Sequence, residues 1–116
     1  MHETSIAQNI IDIVNETLKA QPETRVKTVR VSIGEMIAIV PELLHHAYAS
    51  LTSDTQLDNS TLDITVISIS AICHSCHKEF GLNEYEFLCP HCQSANIEVK
   101  AGNEFYVKEL EVEKCP

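Results

Sequence analysis

The chain has 116 residues, room for one small domain or a domain with a mini-domain too short to bury much core of its own. Hydrophobic residues make up 44% of it, which excludes wholesale disorder, and seventeen acidic against eight basic residues give a net charge of −9, which disfavours nucleic acid and anionic lipid as partners and favours basic partners or metal cations. No basic-then-apolar leader opens the sequence and no run approaches the roughly 18 apolar residues of a membrane span, so a cytoplasmic protein without membrane attachment is expected; its five cysteines then point to metal or reactive thiols rather than to a disulfide framework.

From Thr4 to Ala20, Ile6, Ile10, Val14 and Leu18 recur every four residues, with Ala7 and Ile11 widening the stripe. This is helical periodicity, and Ser5 followed by Gln8 offers a capping box at its start. The helix begins so close to Met1 that the chain tip must sit beside a rigid element. Next, "RVKTVRVSIG" alternates, with Val29, Val31 and Ile33 on one face of a strand that ends at Gly34. Glu35 follows as a turn residue. Pro41 suits the first turn of a second helix, whose apolar face is Leu44, Ala47, Tyr48 and Leu51 and which the polar "TSDTQLDNS" ends. His45 and His46 flank that face; adjacent helical residues point about 100° apart, so a solvated helix flank or a partner contact is expected of them.

"TLDITVISIS" reads as a second strand whose inward set shifts from Leu62, Ile64 and Val66 to Ile67 and Ile69, implying a bulge or a change of environment near Val66. Beyond a cysteine-bearing segment, "NIEVK" and "EFYVKELEV" are further strands around a turn at Gly102, and the last changes phase between Val107 and Leu110. The order predicts an α+β fold in which two helices pack on a small three-stranded sheet, completed by the last strand, with a zinc-ribbon-like module inserted. The expected boundaries are 1–70 plus 95–116 for the α+β domain and 71–94 for the insert.

The strongest chemical signal is the pair of C-x2-C knuckles, Cys73 and Cys76 in "CHSC" and Cys89 and Cys92 in "CPHC". Two knuckles brought together place four thiolates at tetrahedral corners, the donor set of structural zinc. All four positions are filled by protein, so no open site remains to activate water. A redox dithiol would need only one pair. Phe80, Leu82 and Phe87 between the knuckles are expected to form a miniature core, too small to fold the module without metal. Zinc ribbons also serve nucleic acid, but Lys78 stands here against Glu79, Glu84 and Glu86, which supports phosphate contacts poorly. His74, His77 and His91 crowd the knuckles as solvated loop residues; a histidine beside four thiolates would also be inclined to hold its proton. Cys115 has no cysteine left to pair with.

The opening "MHE" offers a second donor set. The α-amine of Met1, the amide nitrogens of His2 and Glu3 and the imidazole of His2 can close fused chelate rings with four nitrogens in a plane, a field that suits Ni(II) or Cu(II) rather than zinc. Amine and imidazole titrate near neutral pH, so such a site is exchangeable and suits delivery more than catalysis.

Taken in order, "MHE", "VRVSIGEM", "PELL", the paired knuckles and the closing "GNEFYVKELEVE" resemble the HypA/HybF family, nickel metallochaperones for the maturation of [NiFe] hydrogenase, over nearly the whole chain. The resemblance implies Ni(II) as transferable cargo at the N-terminus, with His2 the main ligand beside the Met1 amine and the Glu3 backbone. It also implies structural Zn(II) on Cys73, Cys76, Cys89 and Cys92 and no catalytic turnover. Implied partners are a HypB-type GTPase and the hydrogenase large-subunit precursor, and a homodimer is open to the chain. Two departures stand out. The second knuckle is followed by Gln93 where some members carry histidine, and the stretch before the second helix, "MIAIVPE", lacks the acidic residue some members add as a nickel ligand, leaving Glu42 the nearest carboxylate. The competing reading is a zinc-ribbon interaction module, open to nucleic acid, whose N-terminus is idle.

Overall fold

The computed structural model describes residues 3–82 and 87–114, and these form two compact units, each built from separated stretches of chain. The first takes in the chain up to Ser32, Ile39–Thr65 and the segment from Phe105; the second takes in Ile33–Ala38 and Val66–Glu104.

In the first unit, helix α1 (Glu3–Leu18) buries the predicted stripe of Ile6, Ala7, Ile10, Ile11, Val14 and Leu18. Each such aliphatic side chain removed from water contributes about 1.5–3 kcal/mol, and the face they form packs against helix α2 (Pro41–Thr52). The expected capping box does not form: the helix opens at Glu3, so Ser5 lies inside its first turn, and the Gln8 amide donates instead to Asp12 Oδ1 one turn on, at 2.9 Å. Pro41 does open α2, where its missing N–H costs nothing. Leu44, Tyr48 and Thr52 form the buried face, whereas Leu51, expected inside, remains 36% exposed. Thr52 replaces it by donating its hydroxyl to the Tyr48 carbonyl at 2.8 Å. Tyr48 Oη pairs with Ser60 Oγ at 2.6 Å; burial, opposed by this hydrogen bond, leaves its phenol pKa raised.

Strands β1 (Thr24–Gly34), β2 (Thr61–Ile67) and β6 (Phe105–Lys114) form a three-stranded sheet in the order β2-β1-β6, so the last strand does complete the first sheet. On β1 the buried side slips from Thr24 and Val26 to Val29 and Val31, an irregularity within what looked like one alternating run. Arg30 on β1 reaches Asp63 on β2 and Glu109 and Glu111 on β6, at 3.6, 3.4 and 3.3 Å. These exposed pairs fix strand neighbours more than they stabilise. Leu57, inside the polar stretch after α2, is buried and anchors that loop, and the Gln56 amide donates to the Thr24 carbonyl.

The second unit holds strands β3 (Ser70–Cys73), β4 (Glu79–Gly81) and β5 (Ile97–Ala101) in an antiparallel sheet of order β4-β3-β5. The phase change near Val66 thus marks the place where the chain leaves one sheet and, two residues beyond β2, starts another. Ser70 faces Ala101 while Ala71 faces Val99, so Lys100 is the extra residue of a bulge in β5. Ile69, Ala71 and Leu82 are the core, flanked by Phe80, Ile97 and Val99. Phe87 is 42% exposed and takes no part, contrary to expectation: it lies outside the paired strands, where nothing apolar covers it.

Ile33–Ala38 is laid against the turn at Gly102–Glu104. Gly34 N donates to Glu104 O at 2.7 Å, Met36 N to Gly102 O at 2.8 Å, and Gly102 N to the Glu104 carboxylate at 2.6 Å. Glu35 begins a single 3-10 turn (Glu35–Ile37) and its carboxylate accepts from Ile69 N at 3.3 Å. No helix among the described residues is long and apolar enough to cross a membrane.

Candidate metal centre

The two knuckles repeat one backbone design. Cys73 N donates to Lys78 O at 2.9 Å and His77 N to Cys73 O at 2.8 Å; in the second knuckle Cys89 N donates to Ser94 O at 2.9 Å and Gln93 N to Cys89 O at 2.7 Å. Both turns close through a left-handed residue directly after the second cysteine, His77 at φ 61° and Gln93 at φ 62°. The side chains differ at this position but the backbone is the same, so the missing histidine of the second knuckle leaves its turn intact. Such φ values cost non-glycine residues of order 1–3 kcal/mol and persist where the surroundings over-determine them. Here the C-x2-C hydrogen bonds do so, and Ser75 Oγ ties one knuckle to Ser94 Oγ of the other at 2.9 Å. That tie was not foreseen; the only signal for it was its place beside the cysteines.

The result brings the four predicted sulfurs within 4.8 Å of one another. Cys73 Sγ lies 3.5 Å from Cys92 Sγ and Cys76 Sγ 3.7 Å from Cys89 Sγ. A disulfide would be about 2.05 Å, whereas sulfurs about 2.3 Å from a tetrahedral zinc stand roughly 3.8 Å apart. The thiols are therefore spaced as ligands and not as redox partners. Cys73 and Cys89 are buried, Cys76 half-buried and Cys92 exposed.

Backbone amides point at these sulfurs. Ser75 N and Cys76 N lie 3.3 and 3.5 Å from Cys73 Sγ, and the Cys76 amide first, with Ser75 helping against burial, pulls the Cys73 thiol down to about 6. At Cys89 burial pushes the thiol up, but the amides of Cys92 and His91, the latter at 3.4 Å, outweigh it and the net shift is downward. Cys92 keeps its proton: although the Ser94 amide favours its thiolate, Cys73 beside it, burial and the other two sulfurs hold it up to about 12. Four thiols this close cannot all ionise unless a cation joins them.

Metal binding here requires deprotonation, so protons oppose it and the sign is fixed. At constant chelator concentration, zinc occupancy is expected to be full at pH 8 and to fall as pH is lowered toward about 6, where Cys73 itself takes a proton. A chromophoric zinc indicator read across that range checks this; occupancy that rises or stays level on acidification contradicts it.

His74, His77 and His91 are exposed on the knuckles and none is placed among the sulfurs. His74 Nε2 stands 3.4 Å from Glu98 Oε1, and Glu98 is held low chiefly by Lys100, whose ammonium it holds high in turn. The nickel donors at Met1 and His2, like Cys115, lie outside the described residues. Glu3 is described: it opens α1, and its carboxylate accepts from Val40 N, the residue capping α2, at 3.2 Å. Glu42 is exposed in the first turn of α2. His45 and His46 are both exposed, and His46, unlike His45, lines a groove shared with Glu3 and Thr4.

Residues 1–112 match the family model HypA, described as "Hydrogenase/urease nickel incorporation, metallochaperone, hypA". The chain is 36% identical over 113 residues to the hydrogenase maturation factor HypA of Geotalea uraniireducens (strain Rf4), covering 97% of this chain and 100% of that protein. It is 34% identical over 112 residues to the same factor from Rhizobium leguminosarum bv. viciae, covering 97% and 99%. Its fold is similar to the solution structure of the Ni metallochaperone HypA from Helicobacter pylori, with TM-score 0.65, 27% identity and coverage of 96% and 97%.

Proposed function

The chain belongs to the HypA family of nickel-incorporation metallochaperones, which are not enzymes, and from that premise we propose that it binds Ni(II) at its N-terminus and delivers it to the [NiFe] hydrogenase large-subunit precursor in the cytoplasm. The observation that carries this is the extent of the family match, which runs from residue 1 through the knuckles to residue 112 and so takes in "MHE" with everything behind it. The relatives' name, hydrogenase maturation factor, favours hydrogenase over urease as the destination.

In this reading His2 supplies the imidazole, and the Met1 amine and the backbone nitrogens of His2 and Glu3 complete a plane. Glu3 supports the assignment, because its hydrogen bond to Val40 N holds the start of α1 beside α2 and keeps the next residue toward the terminus close to folded protein. Cys73, Cys76, Cys89 and Cys92 hold zinc, which their spacing and amide-stabilised thiols fit. When bound, zinc serves as a cross-link between the knuckles. The zinc-binding module is 71–94, within the second compact unit, and nickel belongs to 1–70 plus 95–116. A HypB-type GTPase is the proposed partner in transfer. Release proceeds by ligand exchange: acceptor thiolates displace a site that yields only one side-chain donor, and protonation of the freed amine and imidazole makes return unfavourable.

Nickel titrated into zinc-loaded protein is expected to bind one equivalent. His2→Ala, and separately one extra residue ahead of Met1, should each remove most of that binding, because either breaks the run of chelate rings. Full binding by both variants would end the reading and return the chain to a zinc-ribbon interaction module.

A further inference from the structure

We propose that His46 supplies a second imidazole to the nickel carried at the chain tip, an inference that rests on the N-terminal site just described. The two adjacent histidines of α2 are not equivalent in the fold. Leu43, His46, Ala47, Ser50 and Leu51 fall at helical spacing on one stripe of α2, and this stripe, with Glu3 and Thr4 of α1, lines a groove of about 320 Å³; His45 points elsewhere. The groove wall is mostly apolar and open, with Leu43 54% and Leu51 36% exposed. Within it the side-chain donors from α2 are one imidazole and one hydroxyl. Imidazole is the donor that suits Ni(II), and a neutral hydroxyl is not. Among the described residues His46 makes no ion pair; the histidine that does is His74.

Position argues in the same direction. Glu3 is fixed to Val40 N at 3.2 Å, and it is also part of the wall of this groove. His2 is one peptide bond away, about 3.8 Å from Cα to Cα. A metal gripped by the first three residues is therefore delivered to the groove that His46 lines. The tip's four nitrogens occupy one plane and leave the directions above and below it open, so a donor from outside the tip meets no competition from it. This also gives a use to a groove that buries little: with one imidazole on the tip and one on a helix, nickel keeps a protein ligand while incoming thiolates displace the other.

The test is nickel K-edge X-ray absorption on zinc-loaded, nickel-loaded protein, which counts imidazoles per nickel. Two are expected in the unaltered chain, one in His46→Ala and in His46→Gln, and two in His45→Ala. His46 is exposed, so neither replacement removes core. Since even a contact that merely supports a ligand is worth about 10–100-fold in metal affinity, His46→Ala should also weaken nickel binding about tenfold or more in a competition titration. One imidazole in the unaltered chain, or a count that His2→Ala lowers and His46→Ala does not, overturns the assignment of His46 alone. A count that His2→Ala leaves untouched overturns the tip site and this inference together.

Discussion

Cys73→Ser is expected to strip the chain of its zinc and to unfold the second compact unit while α1 and α2 stay helical. Residues 66–104 have only Ile69, Ala71 and Leu82 as a fully formed core, and two of the buried residues of that unit are the ligands Cys73 and Cys89 themselves. A core of that size cannot offset about 1.5 kcal/mol of conformational entropy per ordered residue. Zinc can, because its binding to small cysteine-bearing modules supplies about 10–16 kcal/mol at neutral pH. The first unit has its own core in Ile6, Ile10, Val14, Val29, Val31 and Leu44, each essentially inaccessible to water. Elemental analysis should find one zinc in the unaltered protein and almost none in the variant. Amide resonances of residues 66–104 should collapse toward random-coil positions, those of α1 and α2 should not, and chelation of the unaltered protein should give the same pattern. A variant that keeps one zinc with an unchanged amide spectrum contradicts the assignment of the ligands.

Gly34→Ala is expected to be the most damaging single-methyl addition in the chain. A Cβ on Gly34 would stand 2.1 Å from Gly102 O and 2.5 Å from Asn103 N, both backbone atoms that no side-chain rotation can move away. Relief requires parting Gly34 from Glu104 and Met36 from Gly102, the hydrogen bonds that hold Ile33–Ala38 in the second unit. The loss should be about 3 kcal/mol or more, read as a melting temperature lower by roughly 10 °C or more. Gly81→Ala is the control: its Cβ would meet nothing closer than Ile69 O at 3.8 Å, so a change within about 0.5 kcal/mol is expected. Equal losses at the two glycines would rule out close backbone approach as the reason for Gly34.

Much of this was legible in the residues. The α1 stripe could be read outright because a buried helix face repeats at a spacing no other element shares, and the knuckles because two C-x2-C pairs leave few other uses for four thiols. What could not be read depends on contacts distant in sequence. Gly34 looks like the end of a strand, and nothing near it announces that Gly102 lies against it. The slip of phase between Ile64 and Ile69 was visible, but the sequence alone does not say whether a strand is bulged or has changed sheets. Leu57 was lost among polar neighbours and Phe87 was wrongly taken for core, since hydrophobicity reports what can be buried and not what a particular loop manages to cover. The difference between His45 and His46 was likewise invisible until α2 had a neighbour.

A ribosome makes this chain at about 5–20 residues per second, and it makes β1 and β2 long before their third strand. β6 is residues 105–114, and every one of the four knuckle cysteines precedes it. The metal that cross-links the knuckles can thus be acquired from the cell while the first sheet is still a pair of strands. Throughout that interval β1, the central strand of the finished sheet, presents an unpaired edge to whatever is nearby, a chaperone or a second nascent copy. A supply of zinc that lags behind translation would then be felt as aggregation of newborn chains, before any shortage of nickel could register in an immature hydrogenase.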